Sequence, residues 1–323
     1  MTPEPRVSPQ IIEAIRASIE DKPSSDLRVE AIKALIKEAV AAGAFGFTTS
    51  FIAQHIGYKG RPLACRQAGP EEFRAYSNAL KELGKGCIEL ALTNDISIVD
   101  EREYAMLDLL LTESGRPVTW LALLNRDDKP DACKSTLRST AELCKKGALP
   151  QVSCRPLIIQ IDLRVPFIFS NLPCWKPAFQ RPVEEQKQFY RDASFRAAFR
   201  KEMETPKVFG GRWDRAVVHE VTNPAMKSLL GKTVAQIAKD RGKDGLDTFL
   251  DLAIEDDLQL QYTYELFNAT EERIPDLITD PRVMVGLSDG GAHVDMLCDA
   301  GYCTYLLGTW VREKSVLTVE QAV

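Results

Sequence analysis

Two hydrophobic rhythms alternate along this chain. In one, apolar residues recur three and four positions apart; in the other, a short run is apolar almost throughout. Val29, Ile32, Leu35, Ile36 and Val40 make the first clear helical face, which ends at Gly43 and passes into an expected strand over 44–49. The order then repeats. A helix over 70–83 stops at Gly84 before a strand over 87–92, and one over 101–114 stops at Gly115 before 118–124. A third, over 131–146, stops at Gly147 before a strand over 157–161. Helix, glycine stop, apolar strand, four times over, predicts a parallel sheet with crossover helices. Strands covered on both faces lose the polar alternation of a half-exposed sheet. Upstream, Ser8-Pro9 reads as an N-cap and first-turn proline for a helix carrying Ile12, Ile15 and Ile19.

The rhythm breaks over 163–211. That stretch is rich in proline, arginine and aromatic residues and shows helical spacing only around 183–203. An insertion of this kind forms a lid or pocket wall, or else a surface elaboration or an oligomer contact. Beyond it, Thr233-Val-Ala-Gln236 is a capping-box pattern opening a helix that ends near Gly242. Leu246, Phe249, Leu250, Ala253 and Ile254 make the next helical face. An alternating segment over 259–267 reads as strand, and 275–279 as a helical turn. Val283, Met284 and Val285 form a last apolar strand, running into Ser288-Asp289-Gly290-Gly291. Thr318 to Gln321 is another capping box, one turn before the final Val323. About six strands can be read, where a closed (β/α) barrel needs eight. The expectation is one partial (β/α)-barrel domain over 1–323, incomplete toward the N-terminus, with 163–211 as a lid-like insertion.

Composition narrows the partners. A net charge of −5 argues against nucleic acid and anionic membranes. No apolar run is long enough for a membrane span, and the first residues lack a signal-peptide core. The 8 cysteines are scattered without a CxxC pair and read as free thiols of a reducing cytoplasm. A small-molecule substrate is the expected partner, and a homo-oligomer is compatible with the insertion.

Candidate chemistry gathers at strand ends. A buried strand that stops at a carboxylate and two glycines fits the active-site end of a βα unit, which makes Asp289 a candidate general base and His293 a loop residue above it. The plainer reading of Asp289 is a helix cap. His55 follows the first strand closely enough to reach the same end, as a substrate or metal contact. Arg61 and Arg66, in the same loop, suit a substrate carboxylate or are solvated surface groups. His219 lies in an apolar run and is expected to be buried and structural. Cys65 has no evident His or Asp partner for thiol chemistry.

The motifs taken together resemble one family. They are Ala42-Gly-Ala-Phe-Gly-Phe-Thr-Thr-Ser50 with His55 and Gly60-Arg61-Pro62, then Pro70-Glu-Glu-Phe73, Gly115-Arg-Pro-Val-Thr119, Leu172-Pro-Cys-Trp175 and Gly231-Lys-Thr-Val-Ala235. Gly286-Leu-Ser-Asp-Gly-Gly-Ala-His293, Tyr302 to Leu307, Trp310-Val-Arg312 and Leu317-Thr-Val-Glu-Gln-Ala322 complete the set. In this order the chain resembles the D-aminoacylase (N-acyl-D-amino-acid deacylase) branch of the amidohydrolase superfamily.

The resemblance implies a TIM-type (β/α) barrel of the metal-dependent hydrolase kind, acting on a C–N amide bond in a small N-acyl amino-acid-like substrate. It implies zinc, with Asp289 as general base and metal-site carboxylate, Glu89 at a strand position where the family can carry a ligand, and His55, Arg61 and His293 toward the substrate. The family's His-x-His has no counterpart here, and there are only 3 histidines, at 55, 219 and 293. A zinc site normally takes three or four protein ligands, so metal binding by this chain alone is expected to be weak or absent. The alternative is a non-catalytic or truncated barrel fragment or subunit.

Overall fold

The computed structural model describes residues 26–53, 55, 62–170, 172–179, 181–205, 209–288, 290, 296–297 and 299–323. The helix read around Ile12, and the candidates Arg61, Asp289 and His293, lie outside the described residues. The chain divides into two compact units. Unit 1 takes the chain up to Leu124, then Asp131–Val152 and Asp280–Gly286; unit 2 takes Asn125–Pro130, Ser153–Thr279 and Leu287–Val323.

Unit 1 is a parallel sheet with helices on one face. Its elements are α1 (Asp26–Ala41), β1 (Gly46–Ser50), α2 (Pro70–Leu83), β2 (Cys87–Ala91), α3 (Glu101–Ser114), β3 (Val118–Leu123), α4 (Ala132–Ser139), α5 (Ala141–Lys146), β4 (Ala148–Val152) and, much later in the chain, β8 (Met284–Val285). The order is β1-β2-β3-β4-β8, all parallel. The helix ends follow local rules. Pro70 opens α2, whose missing N–H costs nothing in the first turn. Asp100 and Glu103 cap α3 reciprocally. Gly84 and Gly115 close α2 and α3 with φ of 64° and 60°, a left-handed turn that glycine makes without strain.

Register sorts the strand residues onto two faces. Phe47, Ile88, Val118 and Ala148 share one level of the helix-covered face, and Leu90, Trp120 and Pro150 another. Ile88, Leu90, Val118, Trp120 and Ala148 are fully buried there, under Phe73, Leu80, Leu107 and Leu110 of the helices. Each such side chain stabilises by about 1.5–3 kcal/mol relative to exposure. Gly46 lets β1 lie against β2: a Cβ on it would sit 1.7 Å from the Cys87 carbonyl oxygen.

Unit 2 is built differently. β5 (Leu157–Ile161), β6 (Ala216–Glu220) and β7 (Gln261–Phe267) form an antiparallel sheet in the order β5-β7-β6. Its helices include α6 (Val183–Arg191), α7 (Ala193–Met203), α8 (Val234–Arg241), α9 (Gly245–Glu255) and α10 (Ile274–Ile278). Aromatic residues of the 163–211 stretch supply much of its core. Phe169 and Trp175 stack at 4.2 Å, Phe199 and Phe195 pack edge-on to Trp175, and Phe209 and Phe249 extend the cluster to Tyr262 and Tyr264. Trp175, Phe169, Phe199 and Phe249 are fully buried.

Four expectations need correction. The fourth parallel strand is β4, directly after Gly147; the run at 157–161 is a strand, but it pairs antiparallel with β7. Pro150 inside β4 hides it, because proline removes a ladder donor and argues against an interior strand. The helix over 131–146 is two helices that part at Thr140, whose hydroxyl donates to the Thr136 carbonyl at 2.7 Å. His219 is exposed, since β6 is an edge strand of its sheet and turns alternate residues outward. The last strand, expected as a buried run over Val283–Val285, is Met284–Val285, and Met284 is exposed.

Candidate functional site

The uncovered face of the unit 1 sheet is polar where the covered face is not. Thr48, Glu89 and Thr119 lie side by side in register on β1, β2 and β3, with Gln151 from β4 beside them. Parallel register and the two-residue strand period put them on one side. Gln151 is buried to 5% exposure and organises the row. Its Nε2 donates to Glu89 Oε1 at 2.8 Å and to Thr119 Oγ1 at 2.7 Å. Glu89 is half-buried and Thr48 exposed, so the row is open at the β1 side.

The C-terminal ends of β1, β2 and β3 are tied together by their loops. Ser50 Oγ and His55 Nδ1 are 2.7 Å apart, and Arg66 donates to the His55 carbonyl at 3.2 Å. Asn94, after β2, accepts the Ala53 N–H at 2.7 Å. Its own N–H goes to Glu103, the α3 capping carboxylate, and burial raises that carboxyl although the Asn94 and Asp100 N–H groups pull it down. Ser97 bonds to Leu124 at the end of β3 and accepts the Thr136 hydroxyl on its carbonyl, at 2.7 Å each. Ser50, Thr93 and Leu124 therefore follow the same end of three adjacent parallel strands, as expected for the working edge of such a sheet.

Of the candidates, His55 and Glu89 are placed, both in unit 1. Arg66 supports the His55 backbone rather than standing as a free cation. Cys65 donates to the Ser50 carbonyl at 3.4 Å, which gives it a local structural partner. Sequence reading expects Ser50 near the working end with Thr93 and Leu124 but misses its bond to His55, and it misses Thr119 and Gln151. Ser50 had a signal, a strand-end hydroxyl five residues before a histidine; Gln151 had none, because its strand was concealed by Pro150.

In unit 2 a second buried polar group follows β4. Arg155 pairs with Asp299 at 2.9 Å, and Asn268 donates to the Ser153 carbonyl at 2.9 Å while accepting the Asn125 N–H at 2.7 Å. Burial pushes the neighbouring Cys154 thiol up to about 12, so it is no nucleophile at neutral pH.

A zinc centre would need three or four donors close together. His55 Nδ1 is engaged by Ser50, Glu89 Oε1 by Gln151, and among the described residues no three His, Cys, Asp or Glu side chains gather closely enough to hold a metal ion. The described donors do not fit a zinc centre.

No family model matches the chain. Uncharacterized proteins of Mycobacterium tuberculosis and Mycobacterium bovis are 32% identical to it over 115 residues, 34% of this chain and 18% of theirs. Among solved structures, the one described as defining a novel subset of amidohydrolases, a D-aminoacylase, superposes with a TM-score of 0.52 at 15% identity, covering 97% of this chain and 54% of its own. The fold is thus mixed α/β with a parallel sheet, similar to that of this solved protein.

Solved proteins with a similar fold include D-aminoacylases and an N-acyl-D-glutamate deacylase. A D-aminoacylase mutant in complex with copper chloride matches with a TM-score of 0.51 at 16% identity. The Bordetella bronchiseptica N-acyl-D-glutamate deacylase, complexed with zinc and a phosphonate mimic of the tetrahedral intermediate, matches with a TM-score of 0.51 at 15% identity. Both alignments cover 97% of this chain and 54% of the solved one. The chain therefore spans about half the length of these proteins, and the likeness is one of fold. No described helix is long and apolar enough to cross a membrane.

Proposed function

We propose that this chain carries a hydrolase site for the C–N amide bond of a small N-acyl amino-acid-like molecule, with Asp289 as general base. The observation that supports it best is the shared fold, over 97% of the chain, with proteins described as D-aminoacylases and an N-acyl-D-glutamate deacylase. In this reading Asp289 takes a proton from the water that attacks the acyl carbonyl and returns it to the departing amine. His55, Arg61 and His293 contact the substrate, and Arg61 suits its carboxylate. In this reading 163–211 is an insertion in a partial barrel-type domain. The test is release of free amine from a panel of N-acetyl-D-amino acids by the purified chain. Turnover above the uncatalysed rate supports the reading, and none across the panel overturns it for this chain.

A second reading, a non-catalytic barrel subunit, is favoured by one observation. Glu89, a candidate ligand, is held by Gln151 in a neutral side-chain network rather than standing beside other metal donors. Tight association with a second polypeptide and no turnover on its own is the outcome expected of that reading.

A further inference from the structure

We infer that Glu89 recognises a protonated primary amine on the molecule that binds the polar face of unit 1. The inference rests on the hydrolase reading for the rest of that molecule's identity, and on unit 1 alone for the amine. Glu89 stands mid-strand on β2, level with Thr48 and Thr119. Its carboxylate is half-buried and accepts one hydrogen bond, from Gln151 Nε2 at 2.8 Å. Among the described residues no lysine or arginine pairs with it.

Several other shielded carboxylates are paired with a cation, and Glu103 and Asp256, which among the described residues are not, each take several hydrogen bonds instead, from Asn94 and Asp100 and from Thr222 and Asn223. Arg155 pairs with Asp299, Arg196 and Lys243 with Asp251, and Arg282 with Asp280. A carboxylate that loses water without gaining a cation carries a desolvation cost with no Coulomb return. A ligand cation supplies that return through a charge-assisted hydrogen bond. The geometry also selects the kind of cation. Gln151 already occupies Oε1 and spends its other N–H on Thr119. A guanidinium binds best through both carboxylate oxygens, whereas an ammonium needs a single point of contact. Oε2, which accepts no hydrogen bond among the described residues, offers one point. A divalent metal wants three or more donors, which the described side chains do not bring together.

The test compares ligands that differ only in charge. Binding of N-acetyl-D-lysine, its doubly acetylated neutral analogue and N-acetyl-D-norleucine is measured by calorimetry on the whole wild-type chain, alongside free-amine release and n-butylammonium binding. The expected result is an affinity for N-acetyl-D-lysine about tenfold or more above both neutral analogues, the size of a hydrogen bond to a charged group. Glu89→Gln should erase that preference while keeping the circular dichroism and melting point of the native chain. Equal affinity for the three, with turnover retained, overturns the amine inference and leaves the hydrolase reading standing. Glu89-dependent n-butylammonium binding without any turnover does the reverse. Zinc chloride competing away the ammonium at equimolar concentration would overturn the inference in favour of a metal.

Discussion

Units 1 and 2 solve the problem of burying a sheet in opposite ways. Unit 1 covers one face of five parallel strands with helices and keeps the other face polar, its residues held by a buried glutamine. Unit 2 fills its interior with stacked aromatics and pairs its surface charges, as Arg196 does with Asp247 and Asp251. Aromatic packing converts buried area directly into stability. A polar sheet face gains little by itself and is worth keeping when something binds to it. The difference gives unit 2 its aromatic core and leaves unit 1 the face on which the proposed amine contact lies.

Substitutions can break that contrast. Trp175→Ala should have the largest effect. It empties the centre of the aromatic cluster, and such truncations cost about 3–5 kcal/mol. Denaturant unfolding followed by far-ultraviolet circular dichroism should show the loss; a change under about 1 kcal/mol would mean that the cluster is not the core of unit 2. Gln151→Leu comes next. It keeps the volume but removes the donor shared by Glu89 and Thr119, and an unsatisfied buried polar group costs about 1–3 kcal/mol. A neutral or stabilising result would show that the polar row is no organised network.

The smallest effect concerns acid. Burial would raise the Asp244 carboxyl, but the Asp247 backbone N–H and the Arg200 guanidinium outweigh it and hold the group at about 2. A depressed carboxyl contributes stability above its unfolded pKa, near 3.9, and loses it as pH falls toward about 2. The side chain is 49% exposed, so screening limits the contribution to about 0.5 kcal/mol. Asp244→Asn, which still caps α9, should lie that far below the native chain in unfolding free energy at pH 6, and the gap should narrow by pH 3. A gap that widens with acid would reverse the sign of this account.

How much of this was legible in the sequence depended on local chemistry. The boundaries of α2, α3 and α8 could be read because proline, capping boxes and glycine stops fix them within a turn. β4 could not, because Pro150 contradicts its neighbours and only pairing with β3 and β8 reveals it. The strand at 157–161 was visible, but its direction is decided by β7, about a hundred residues later, and no local pattern carries that. At the site, Glu89 and His55 stood out by residue type. Gln151 is meaningful only through Glu89, 62 positions away.

We propose Asp289 as the general base. The most direct measurement is amide hydrolysis and melting temperature on one preparation of Asp289→Asn. Asparagine is nearly isosteric and caps a helix about as well as aspartate, so a capping role predicts that both quantities stay at native values. A general base predicts an unchanged melting temperature and a kcat lower by about 10²–10⁴-fold. Native activity in the variant would contradict the account.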